Sequence, residues 1–230
     1  MTTREAEDLR IRVEDDVVVS GLLLVPARAT VCYVLAHGAG AGMRHPFMSA
    51  VADGLGARQI ATVRFQFPYM ERGSRRPDPP RLAYAAVRAA VSAARDRLPG
   101  LRLLAGGKSF GGRMTSQAQA GAPLPGVVGL AFLGWPLHPA GKPSVERAAH
   151  LSAIRIPMLF FQGTRDALAD LDLMREVVGR LGSRATLVEV PEGDHSFHVP
   201  ARSGRTDIEV LDRALDGLAA WADGLPNQAG

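Results

Sequence analysis

The sequence predicts an α/β fold: a doubly wound, mostly parallel sheet with helices on both faces, preceded by an antiparallel hairpin. Two patterns predict it. Short, wholly apolar runs alternate with longer segments whose apolar residues recur at helical spacing, and parallel strands need such crossovers. Ahead of them, two segments of strand character flank a turn at Asp15-Asp16. With 230 residues, 47% hydrophobic and 22% charged, the chain suits one domain over residues 1–230 with an ample core.

In chain order, Leu9 to Val13 and Val17 to Val25 form the hairpin, which Pro26 closes. Val31 to Ala36 is apolar throughout, as in a strand buried on both faces, and ends abruptly in His37-Gly38-Ala39-Gly40-Ala41-Gly42. Phe47, Val51 and Leu55 mark a helix from Pro46 to Arg58, and Ile60 to Phe65 is the next strand. A Pro/Gly/Arg-rich loop, Pro68 to Pro80, precedes a long helix with Leu82, Ala86, Val87, Ala90, Val91 and Ala94 on one face. It stops at Pro99-Gly100. Leu101 to Ala105 reads as a strand broken by Gly106-Gly107, and Phe110 to Ala120 as a helix capped by Gly121. Val127 to Leu133 is a further buried strand. Residues 136–156 break the rhythm with prolines and a short helical piece near Val145 to Leu151, so they read as a small cap insertion. Pro157 to Phe161 is a strand, Leu171 to Leu181 a helix and Ala185 to Val190 a strand. The last helix runs from Asp207 to about Trp221 behind a Thr206/Glu209 capping box. Leu225 to Gly230 reads as a loose tail.

Chemistry in an open α/β sheet belongs to the loops at the carboxyl ends of its strands, and four of these are loaded. Gly107-Lys108-Ser109-Phe110-Gly111 is G-x-S-x-G, in which a sharp strand-to-helix turn projects the serine hydroxyl. The pentapeptide alone decides little in a chain with 25 glycines. It gains weight from Asp166 and His195, each placed after a later strand, in the order serine, aspartate, histidine. His195 would take the proton of Ser109, and Asp166 would fix the imidazole tautomer. The N–H groups of Ala39 and Phe110 would form an oxyanion hole. Asp170 and Asp172 compete with Asp166 but suit the first turn of a helix; His198 competes with His195; and Asp194 suits a turn. His37 is expected to shape its loop by hydrogen bonding. Glycines at 38, 40 and 42 do not match the dinucleotide spacing G-x-G-x-x-G.

Composition narrows the partners. No apolar run approaches ~18–20 residues, so no membrane span is expected. A polar, acidic start (Met1 to Asp8) does not read as a secretory signal, and the one cysteine suits a reducing compartment; together they predict a cytoplasmic protein. Cys32, in an apolar run, reads as core. The net charge of +4 comes largely from arginine, but Arg72, Arg75, Arg76 and Arg81 are interleaved with prolines and lack stacking aromatics, so no nucleic-acid partner is expected. No His/Cys/Asp cluster has metal spacing, and neither metal nor cofactor is expected.

These residues resemble the α/β-hydrolase superfamily, close to its dienelactone-hydrolase-like group, over most of the chain. Several segments are similar to a bacterial α/β-hydrolase-like branch related to a subunit of a eukaryotic histone-acetyltransferase complex: His37 to Gly40, Arg64 to Met70, Gly107 to Arg113, Pro136 to Pro139 and Gln162 to Asp166. The resemblance implies hydrolysis of a small-molecule carboxylic ester or thioester through an acyl-enzyme. A peptidase or amidase on the same residues, or an interaction protein with an idle triad, are the alternatives. Serine at the elbow departs from the cysteine of dienelactone hydrolases and the aspartate of haloalkane dehalogenases. Trp135 and Leu137 at the root of the insertion, and Phe67 and Tyr69 after another strand, are candidate pocket walls, with core packing the rival reading for Trp135. Lys108 would either attract an anionic substrate or pair with a carboxylate and hold the elbow.

Overall fold

A computed structural model describes residues 6–226. The Asp15-Asp16 turn joins β1 (Glu7–Glu14) to β2 (Val17–Leu24) in antiparallel register, with Ile11 opposite Val19. Six further strands follow: β3 (Val31–Ala36), β4 (Ile60–Phe65), β5 (Arg102–Lys108), β6 (Val127–Leu133), β7 (Met158–Gly163) and β8 (Ala185–Val190). The sheet order is β1-β2-β4-β3-β5-β6-β7-β8, parallel from β4 to β8 and antiparallel at β1–β2 and β2–β4. The expected fold class is therefore the observed one.

Side chains that alternate along each strand supply two separate cores. Cys32, Val34 and Ala36 of β3 face one side, with α3 (Pro80–Arg97), α4 (Phe110–Gly121) and α5 (Leu171–Leu181) over them. Tyr33 and Leu35 face the other, under α1 (Pro46–Ala57) and α6 (Asp207–Asp223). Cys32 is wholly buried and its thiol is pushed up to about 12 by desolvation, so it is a core residue without nucleophilic character.

Helix ends follow local chemistry. Thr206 and Glu209 cap α6 reciprocally, and Asp170 caps α5 by accepting the Leu173 N–H at 3.1 Å. Asp172, in the first turn of α5, pairs with Arg175 at the surface. Neither acid is available to the strand-end loops.

Several boundaries differ from the sequence expectation. β5 does not break at Gly106-Gly107 but runs through them to Lys108. The loop after β4 opens with one turn of helix, α2 (Pro68–Glu71), because Pro68 suits the first helical position. Leu82 is only half-buried, and Ala83 takes its place on the packed face of α3. Leu225, assigned to the tail, is buried in the second core, while residues 227–230 and the first five lie outside the described residues.

Within 136–156 the helical piece is a 3₁₀ helix, Glu146–Ala153. His150 meets Ser116 Oγ of α4 at 2.8 Å, and His138 Nε2 accepts the Asp170 N–H at 2.8 Å. Leu151 and Ile154 are buried beneath. The segment is thus fastened to α4 and to the connection between β7 and α5. Among the described residues, no helix is long and apolar enough to cross a membrane.

Candidate active site

The site begins where β5 turns into α4. Gly107 has φ +145°, and a Cβ there would stand 2.1 Å from the Ala36 carbonyl oxygen of β3. Only glycine lets β3 and β5 approach so closely. Gly107→Ala is therefore expected to destabilise the fold by about 3 kcal/mol or more, read as a lowered Tm in a thermal melt. Two residues on, Ser109 adopts φ 51° and ψ −116°, a conformation L-residues seldom accept. Its side chain makes no helix-capping bond, so the hydroxyl is free to face the next loop.

That loop follows β8. Asp194 Oδ1 accepts the N–H groups of Ser196 (2.7 Å) and His198 (3.0 Å), a tight turn that sets the His195 backbone. His195 Nε2 lies 2.8 Å from Ser109 Oγ, and its Nδ1 lies 2.7 Å from Asp166 Oδ2. An ionised carboxylate only accepts, so Nδ1 carries the proton and the Nε2 lone pair receives the serine hydroxyl. Asp166, in the loop after β7, is buried. The Leu168 N–H (2.8 Å, to Oδ1) and Gln162 Nε2 (2.5 Å, to Oδ2) orient its carboxylate. The three side chains thus form one relay, and His198 points elsewhere, to Asp207.

Gln162 was not anticipated. It is fully buried, and its other amide atom accepts the Trp135 N–H at 3.1 Å, so its orientation is fixed from both ends. A signal was present: Gln162 follows the apolar Met158 to Phe161 within a buried strand, where a polar amide must find partners.

The loop from His37 to Gly42 packs against the elbow, since a Cβ on Gly38 would stand 3.8 Å from that of Ser109. His37 is buried and its pKa is lowered to about 4, by desolvation. It is neutral, accepting the Phe67 N–H at Nε2 (3.1 Å) and donating from Nδ1 to the Gly38 carbonyl (2.7 Å). It shapes the loop, as expected. The Gly40 N–H donates to the Tyr69 hydroxyl at 3.0 Å. Neither the Ala39 N–H nor the Phe110 N–H has an acceptor among the described residues. Ala39 is exposed and Phe110 half-buried, so both donors stay accessible beside the elbow.

The four anticipated pocket walls need correction. Phe67, Trp135 and Leu137 are 0% exposed and Tyr69 1%, so none faces a cleft. Phe67 and Tyr69 stack on each other and each meets Phe110 edge to face beside the His37–Gly42 loop, and Trp135 packs on Phe160 and His150. Large aromatic surfaces gain more from full burial than from lining an open cleft. A cavity of about 540 Å³ opens beside the loop, with Ala41, Gly42, Met43, Gln66, Met70 and Glu71 among its walls, and none of Ser109, His195, Ala39 and Phe110 lines it. The arginine-bearing loop after α2 is largely exposed, and its exposed Arg72 pairs with the buried Asp78 at 2.6 Å. Asp78 in turn accepts the Tyr69 N–H.

Solved structures share this architecture. A serine hydrolase without a lid from Xanthomonas campestris aligns with a TM-score of 0.75 at 22% identity, covering 100% of this chain and 99% of that one. A dienelactone hydrolase from Anabaena variabilis gives 0.76 at 20% identity, covering 98% and 100%. Est1E from Butyrivibrio proteoclasticus, solved with ferulic acid bound, gives 0.73 at 15%, covering 91% and 97%. At these identities the likeness establishes the fold. A family profile described as alpha/beta hydrolase domain matches residues 29–223, from just before β3 to the end of α6, and the chain belongs to that family.

Proposed function

We propose that the protein is a serine hydrolase that cleaves a small carboxylic ester or thioester through an acyl-enzyme on Ser109. The observation that carries this reading is the continuous relay from Ser109 Oγ through His195 to Asp166, at 2.8 and 2.7 Å. Ser109 Oγ attacks the substrate carbonyl carbon while its proton passes to His195 Nε2. The carbonyl oxygen becomes an oxyanion that takes the free N–H groups of Ala39 and Phe110. Collapse expels the alcohol or thiol, which takes the proton from His195. Water then repeats the sequence on the acyl group and releases the acid. Asp166 holds the imidazole in the required tautomer and balances the imidazolium charge. No step calls for a metal or cofactor.

Two of the similar structures are named as an esterase or an esterase domain, which supports an ester over an amide. A single, buried cysteine suits work in the reducing cytoplasm.

A fluorophosphonate probe tests the assignment. Wild type should label and Ser109→Ala should not. An unlabelled wild type would overturn the hydrolase reading, and a labelled mutant would move the nucleophile elsewhere. A panel of p-nitrophenyl and CoA esters then separates ester from thioester.

A further inference from the structure

Lys108 precedes Ser109 and is half-buried, yet among the described residues it pairs with no carboxylate. Its ammonium donates to the main-chain carbonyl of His195 at 2.5 Å. It also lies over the rings of Phe47 (5.8 Å) and Phe197 (5.6 Å), which close on it from α1 and from the histidine loop. Gly134, just past β6, leaves room for it: a Cβ there would stand 2.7 Å from Lys108 Nζ and 3.0 Å from His195 O. The charges acting on it are Asp166, after β7, and Asp194, beside His195.

From this we infer that Lys108 is a positioning residue that clamps the His195 backbone to the elbow, so that both ends of the Ser109–His195 hydrogen bond are set by adjacent residues of one strand end. This rests on the reading of Ser109, His195 and Asp166 as the reacting groups. The imidazole is then held twice. Asp166 fixes the ring through Nδ1, while Lys108 fixes the backbone that carries it. Without the second hold, the turn from Asp194 to His198 keeps its own bonds and the core packing of Phe197, but the His195 carbonyl loses its tie to the elbow strand. A charge-assisted bond suits the task, being roughly twice as strong as a neutral one.

The clamp also carries a pH signature. Burial lowers the Lys108 pKa to about 8, against the pull of Asp166 and Asp194. The ammonium is therefore charged below that pH and loses its charge as pH rises through it. Turnover should fall on that limb as the bond weakens to a neutral one.

The test compares Lys108→Met, Lys108→Arg and Gly134→Ala with wild type in two measurements. The first is the pH profile of p-nitrophenyl acetate turnover. Lys108→Met should lose roughly 10–100-fold in kcat, with KM changed little and the limb near pH 8 gone. Lys108→Arg, whose charge does not titrate in this range, should keep most of the activity and carry the plateau to higher pH. The second is amide hydrogen exchange over residues 192–199, which needs no turnover. Exchange should rise in Lys108→Met and in Gly134→Ala, which keeps the lysine but drives a Cβ against its ammonium and the His195 carbonyl, and stay near wild type in Lys108→Arg. Wild-type kcat, pH profile and exchange in Lys108→Met would overturn the clamp. A wild type without Ser109-dependent turnover would instead overturn the hydrolase reading, and exchange would still decide whether Lys108 holds the loop.

Discussion

Ser109→Ala is expected to lower kcat on a p-nitrophenyl ester by roughly 10⁴–10⁶-fold, measured as steady-state turnover. The loss is chemical rather than structural. Among the described residues Ser109 Oγ bonds only to His195, and it does not cap α4, so its removal takes nothing from the helix or the sheet. Tm should therefore change by no more than a few degrees. His195→Ala should cost about as much, because the hydroxyl is a poor nucleophile until a base takes its proton. Since the two act as one unit, the double mutant should be no slower than either single mutant. Additive losses would show that the groups work separately, and the relay would then be only a structural hydrogen bond.

The second large effect belongs to Asp166→Asn, expected to lower kcat by about 10⁴ near neutral pH. The donors around this carboxylate leave asparagine no good orientation. With its amide nitrogen in the Oδ2 position, it opposes the Gln162 NH₂ and the His195 Nδ1–H, which forces the imidazole into the wrong tautomer. Turned the other way, the nitrogen opposes the Leu168 N–H, and the negative charge that balances the imidazolium is lost in either case. Asp172→Asn is the control: Asp172 is exposed and, among the described residues, paired only with Arg175, so turnover should be unchanged within about twofold. A loss at Asp172 with none at Asp166 would assign the acid to the wrong loop.

Most of the fold was legible because secondary structure rests on short-range periodicity. Strand β4, strand β6 and helix α5 occupy the ranges that their apolar patterns predict. Errors arose where one backbone feature overrode the pattern. Paired glycines read as a break, yet at 106 and 107 they let β5 squeeze between β3 and β6 and continue. The site was legible for a different reason. A strand-to-helix serine, with an acid and a histidine placed after later strands, leaves few arrangements open once the sheet is parallel, because all three strand ends then lie on one edge.

What local order alone could not supply was the partner of each supporting group. The aromatic residues near the site were legible as large and apolar, but whether Phe67, Tyr69 and Trp135 faced a cleft or the core depended on what packed over them. Gln162 could be seen as a buried amide, but its bond to Asp166 required the turn after β7. Lys108 could be seen beside the nucleophile, but its acceptor lies 87 positions along, on the loop after β8. The sequence by itself determined most of the elements, their order and the residues proposed to react, since these follow from nearest-neighbour chemistry and strand topology. Only the tertiary structure decided what holds those residues in place, because a hydrogen bond depends on ångström-scale positions set by the packing of the whole sheet.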